Sequence, residues 1–217
     1  SNNYGADSVF MGPGGANDVK SSNYSGTATV GDSALPANNT GNGSSTNDQT
    51  YTGNTTSSNP ELEVTLPTAN IDMGVFSPNA PGTGTATFSV RTYLARGYVV
   101  YTIGNPPTSS SGRALTALTS GGTSSPGTEQ FGINLVANTS PSIGSNLTQG
   151  DFGVGYVANN YATANTFRYN SGDMIAKSDT SSGLTTYTIS YLVNINPATT
   201  PAGRYIFSQS IVVTSTF

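Results

Sequence analysis

The sequence predicts an all-β protein: an antiparallel β-sandwich, of jelly-roll or immunoglobulin-like kind, with an extended N-terminal arm. Three observations predict it. Apolar and polar residues alternate with a period of two through much of the chain after residue 60, as a sheet with one buried face requires. β-branched and aromatic residues fill those runs, while Gly, Pro, Asn and Ser separate them. No stretch carries the period of an amphipathic helix. The best candidate, Arg113–Leu118, is too short for two turns and reads equally as a short strand.

Taken in order, residues 1–60 are Asn, Ser, Thr and Gly with a few apolar islands, Val9-Phe10-Met11, Ala28–Val30 and Tyr51. The stretches Ser21–Thr27 and Ser44–Gly53 resemble each other, and each reads as a β-turn-β unit. The same composition also describes a flexible linker or stalk. We therefore expect an arm over 1–60 and a sandwich over 61–217. In the sandwich, Leu62, Val64 and Leu66 form a first inward set stopped by Pro67. Ala86, Phe88, Val90 and Leu94 then alternate with Thr85, Thr87, Ser89 and Arg91. Ala95-Arg96-Gly97 followed by Tyr98–Ile103 predicts a hairpin with that strand. Phe131, Ile133 and Leu135 alternate again. Tyr187, Ile189, Tyr191, Val193 and Ile195 share one face, opposite Thr186, Thr188, Ser190 and Asn194. A turn over Asn196–Gly203 leads to a closing hairpin strand in which Tyr205, Phe207, Ile211, Val213 and Phe217 alternate with Ser208, Ser210, Thr214 and Thr216.

At that closing hairpin, Thr200-Pro201-Ala202-Gly203-Arg204-Tyr205 and Ile211-Val212-Val213-Thr214 resemble the C-terminal ends of secreted bacterial surface β-sandwich proteins, the pilin-like and spore-coat-U-like subunits. Ala86–Leu94, Glu129–Leu135 and Tyr187–Tyr191 extend the resemblance. It implies an exported sandwich that polymerises by strand donation. The paired cysteines frequent in those families are missing here.

Composition narrows the function. Of 217 residues only 8% are charged, against about 25% in an ordinary soluble domain. The net charge is −4, and Lys20 and Lys177 are the only lysines, so there is no basic patch for nucleic acid or anionic lipid. No apolar run of about 18 residues predicts a membrane span. Residues 1–30, broken by Gly5, Gly12, Pro13, Gly14, Gly15 and Gly26, do not form the long apolar helix of a type IV pilin, and flagellin-like terminal heptads are absent. Richness in Ser, Thr, Asn and Gly, scarce lysine and a start at Ser1 lead us to expect an extracellular or cell-surface protein whose signal peptide has been removed.

Without His or Cys, the common nucleophilic and His-based metal chemistries are unavailable to this chain, and no phosphate loop or Gly-x-Ser-x-Gly elbow appears. Glu61 and Glu63 share a face, while Asp72, Glu129, Asp151 and Asp173 are scattered. A two-carboxylate glycosidase would also want aromatic platforms, and Trp is absent. We expect solvated or turn carboxylates, no enzyme, no cofactor and no metal; Asp151, Asp173 and Asp179 are the loop acids that calcium would use. Lys177 offers an amine for an isopeptide bond but has no evident partner. Asn23, Asn38, Asn42, Asn54, Asn138 and Asn146 head Asn-x-Ser/Thr triplets, so a covalent glycan is a candidate partner, although chance supplies as many in such a composition. Tyr98, Tyr156, Tyr161 and Tyr169 are candidates to stack a ligand, against the ordinary role of tyrosine at a sandwich rim.

The expected function is a self-assembling structural subunit of an extracellular filament or pilus-like fibre, its partners being identical subunits. Sheet edges are usually protected by charge, and this chain has little. A neighbouring copy would instead complete the edge, with Ser8, Val9, Phe10 and Met11 or Thr27, Ala28, Thr29 and Val30 as donor strand. The accepting and core strands would carry Tyr187, Ile189, Tyr191 and Val193, and Tyr205, Phe207, Ile211 and Val213. The alternative is a monomeric adhesin or carbohydrate-binding module on a flexible stalk.

Overall fold

The computed structural model describes residues 62–67, 70–93 and 96–216, and the backbone of 16–20 and 25–28. The chain divides after Asn59 into two units. In the first, β1 (Ala16–Lys20) and β2 (Ser25–Ala28) pair antiparallel, with a register irregularity between Ala16 and Val19. Two of the candidate donor residues, Thr27 and Ala28, lie in β2. Ser8, Val9, Phe10, Met11, Thr29 and Val30 lie outside the described residues, as does the stretch 44–53.

The second unit is all-β. Its strands are β3 (Leu62–Thr65), β4 (Gly82–Thr92), β5 (Gly97–Ile103), β6 (Thr108–Ser109), β7 (Gln130–Asn134), β8 (Asn138–Thr139) and β9 (Ser142–Ile143), then β10 (Thr148–Gln149), β11 (Tyr156–Val157), β12 (Met174–Ser178), β13 (Thr185–Asn194), β14 (Tyr205–Ile206) and β15 (Ser210–Thr216). Among the described residues the only helical element is a 3-10 turn at Asn159–Tyr161. Arg113–Leu118 is not helical: Ala114 bridges to Thr108 and Ala117 to Phe131.

Two antiparallel sheets face each other. The first runs β3-β4-β13, and the far edge of β13 is shared by β10 at Thr185–Thr186 and by β7 at Ser190–Asn194. The second runs β15-β5-β12-β11. The alternation read from sequence supplies the core. Ala86, Phe88 and Val90 of β4 and Tyr187, Ile189, Tyr191 and Val193 of β13 pack against Tyr98 and Val100 of β5 and Ile175 and Ala176 of β12 in one buried cluster. The rings of Phe88 and Tyr187, paired in register, stack with centroids 4.9 Å apart. The hydroxyls of Tyr187 and Tyr98 join the two sheets by a 2.7 Å hydrogen bond. Gly155 permits this pair, since a Cβ there would lie 2.1 and 2.2 Å from the two hydroxyl oxygens.

Both expected hairpins are corrected. β4 and β5 belong to different sheets. Gly97 lies at the start of β5, where a Cβ would meet the Ser178 carbonyl oxygen at 2.1 Å, so β5 is seated directly beside β12. β13 and β15 are likewise in opposite sheets. Alternation identifies the inward face of a strand but not its neighbour, so a hairpin and a crossing between sheets look alike in sequence. The result, β4 paired with β13 and β5 paired with β15 with both connections crossing, is the immunoglobulin-like arrangement and not the jelly roll.

Ser190 and Asn194 also depart from expectation: they face away from the core yet are buried. The chain between β7 and β12 folds over the outer face of the first sheet there. Phe167 and Leu192, both 0% exposed, form a small apolar layer on that side, and Gly132 admits it, since a Cβ would lie 2.9 Å from that of Phe167.

Candidate functional site: the open border of the sandwich

β3 and β15 are the outermost strands of their sheets on the same side of the sandwich. Among the described residues no strand pairs with the outer edge of either. In an immunoglobulin-like sandwich a further strand stands beside the position of β15, closing this side.

The register shows what that border presents. On β15, Ile211, Val213 and Ser215 sit opposite Thr102, Val100 and Tyr98, which are all fully buried, and so face inward. Ile211 and Val213 nevertheless stay only partly covered. On β3, Val64 sits opposite the fully buried Val90, yet it is 44% exposed. Leu66, next on that face, is exposed as well, so the inward set Leu62, Val64 and Leu66 read from sequence is covered only at Leu62. Among the described residues, nothing covers these inward-facing apolar groups at the border. β15, Ser-Ile-Val-Val-Thr-Ser-Thr, carries neither charge nor proline, the usual protections of an edge. On β3 the one charge, Glu63, points outward, 3.8 Å from the Arg91 guanidinium. Further along, the chain's own segment 71–76 lies over the inner face of β4: a Cβ on Gly82 would meet the Phe76 ring at 2.4 Å, and one on Gly84 would meet Ile71 at 2.9 Å.

The opposite border is finished. Outside β7, Ile133 exchanges two backbone hydrogen bonds of 2.9 Å with Arg168. Phe131 donates to the Thr116 carbonyl and accepts from the Leu118 amide, at 2.8 Å each. Buried asparagines bind the covering loops. Asn134 Nδ2 donates to the carbonyls of Thr163 and Thr166 at 2.7 and 2.8 Å. Asn138 Nδ2 donates to Asn134 Oδ1 and to the carbonyls of Val136 and Ile143. Asn138, one of the Asn-x-Ser/Thr residues, is thus buried and bonded within the fold, whereas Asn146 is exposed; Asn23, Asn38, Asn42 and Asn54 lie outside the described residues.

Most of the described acids have local partners. Glu129 accepts from Arg113 Nη2 at 2.9 Å, from the Thr116 amide and hydroxyl at 3.0 and 2.8 Å, and from the Thr200 hydroxyl at 2.7 Å. Burial works against its charge, but these bonds outweigh it and hold the carboxyl below its ordinary range. Asp173 accepts from the Tyr161 hydroxyl and Arg168 Nε, and it too is held low despite partial burial. Asp72 accepts from the Gly74 amide two residues on. Lys177 lies 3.0 Å from Asp179, which also accepts from the Tyr156 hydroxyl. Among the described residues no three acids gather closely enough to hold a metal, and no helix is long and apolar enough to cross a membrane.

The predicted site residues separate into two groups. Tyr187, Ile189, Tyr191 and Val193 are core residues of β13, whose edges are already engaged by β4 on one side and by β7 and β10 on the other, so they offer no accepting edge. Tyr205 lies in β14, paired with β6, and Phe207 joins an aromatic cluster with Phe131, Tyr169 and Tyr191. Ile211 and Val213 alone lie on the open border. Of the tyrosines considered for ligand stacking, Tyr98, Tyr161 and Tyr169 are buried, their phenols pushed up by burial, and only Tyr156 reaches the surface. Sequence reading missed Val64 as a border residue, because its alternation is indistinguishable from that of a covered strand. No family model matches the chain, no curated protein resembles it, and no solved structure matches it.

Proposed function

We propose that this chain is a self-assembling structural subunit of an extracellular filament, in which a strand from residues 1–60 of one copy completes the β3/β15 border of the next. One observation carries the reading: an uncharged, proline-free edge strand whose inward apolar side chains stay partly exposed beside Val64, which is 44% exposed. Main-chain hydrogen bonds along β15 would give affinity, and alternate donor side chains would settle over Ile211, Val213 and Val64. Such a contact is head-to-tail and propagates into an open fibre. Of the two donor candidates, Thr27–Val30 already has Ala28 paired with Ala16 of β1, so Ser8–Met11 is the simpler donor. The resemblance of the C-terminal stretch to pilin-like subunits points the same way, as does the extracellular location expected from composition.

Electron microscopy and sedimentation of the purified chain test this. Full-length protein is expected to form fibres, and protein lacking residues 1–60 to stay monomeric and folded. A full-length chain that remains monomeric at high concentration contradicts the proposal.

A further inference from the structure

Phe152 is displayed where burial has no use for it: the side chain is 90% exposed and its backbone is left-handed, with φ of 58°, a region a bulky residue seldom adopts. The loop that holds it is firmly built. The Gly150 amide donates to the Leu184 carbonyl at 2.8 Å, Gly183 to the Phe152 carbonyl at 2.8 Å, and Val154 to the Ser182 hydroxyl at 2.9 Å. A Cβ on Gly183 would meet the Asp151 carbonyl oxygen at 2.0 Å, so the loop sits hard against that glycine. Strain that surrounding bonds maintain, with no packing gained in return, marks a residue kept for contact with something else.

Phe152 lines an open groove of about 510 Å³ with Arg91, Tyr93, Asp151, Ser182 and Leu184, within the size range of small-ligand sites. Tyr93 is 37% exposed, and Arg91 is fixed beside it, Nη1 donating to the tyrosine hydroxyl at 2.7 Å with the guanidinium 5.6 Å from the ring centroid. Glu63 offsets the charge of Arg91, which leaves Asp151 as the other charged group lining the groove. The lining thus offers aromatic faces and fixed hydrogen-bonding groups without the positive excess an anion requires.

We infer that this groove binds a neutral saccharide: Phe152 and Tyr93 supply ring faces for the C–H surface of a sugar, and Arg91 and Asp151 bond its hydroxyls. The site stands apart from strand donation and holds whether or not the open border accepts a strand.

The test is NMR titration of the purified full chain with neutral oligomers of glucose, galactose, mannose and N-acetylglucosamine, up to about 10 mM. At least one series is expected to give saturable shifts confined to 91–93, 150–154 and 181–184. Phe152→Gly, whose backbone accepts the left-handed region, is expected to keep or raise thermal stability while weakening binding at least about tenfold; Phe152→Tyr retains it. The inference is overturned if no neutral oligomer shifts these residues, if only acidic sugars do so, or if Phe152→Gly binds as well as the parent chain.

Discussion

The two borders of this sandwich are built from similar strands and end in opposite conditions. Beside β7, the chain returns twice, at 116–118 and 166–168, to occupy the outward amides and carbonyls, and asparagine side chains lock those returns in place. Beside β15 and β3, no described strand pairs with the outward backbone, and Val64, which faces inward, remains exposed. The closed side also holds the Arg113–Glu129 and Arg168–Asp173 ion pairs, whereas β15 carries no charge. What differs is where the connections go: segment 116–118, between β6 and β7, and segment 166–168, between β7 and β12, both return beside β7. The open side is the surface we propose to take backbone from another copy.

That contrast divides mutations into those that harm the fold and those that harm assembly. The largest effect belongs to the closed side. Phe167→Ala empties the small layer over the first sheet and should cost about 3–5 kcal/mol, read from urea or thermal unfolding, with fibre growth preserved in whatever fraction stays folded. Asn138→Ala leaves the Asn134 side chain and two loop carbonyls short of a partner and should cost about 1–3 kcal/mol in the same measurement. Acid should act on the same side. Glu129 and Asp173 are both held below their ordinary range, so their contribution is complete above about pH 4, the unfolded value, and fades as pH falls through the lowered folded values. The urea midpoint should therefore drop between about pH 5 and pH 3, and less steeply in Glu129→Gln. The smallest effect on stability belongs to the open side. Val212→Lys, on the outer face of β15, should change unfolding free energy by less than about 0.5 kcal/mol while abolishing or sharply slowing fibre growth in electron micrographs. If the closed-side variants block assembly at full folding, or if the lysine is tolerated in fibres, the division fails.

Much of the fold was legible in sequence because period-two patterning reports burial of one face directly. Phe88, Val90, Tyr187, Ile189 and Val193 could be placed in the core from alternation alone, and they lie there. Strand partners were not legible: β4 and β5 alternate as a hairpin would, yet β4 pairs with β13 and β5 with β12 and β15, residues distant in sequence. The buried polar layer escaped for a related reason. Asn194, Asn134 and Asn138 look like solvent-facing residues until segments distant in sequence cover them and bond their side chains, and Ser190 is buried with them. At the border, Ile211 and Val213 were found as apolar and inward, but exposure depends on what stands next to them, which a strand's own residues do not encode. Phe152 carried no periodic signal, since its significance is a backbone angle.

Amide hydrogen exchange along Ser210–Thr216, followed in the monomer and again in assembled fibres, tests the accepting edge most directly. Alternate amides of β15 should exchange fast in the monomer, where nothing described pairs with them, and become strongly protected in fibres, while those bonded to β5 stay slow throughout. Outward amides that are already protected in the monomer, or that stay unprotected in the fibre, would contradict a donated strand at this border.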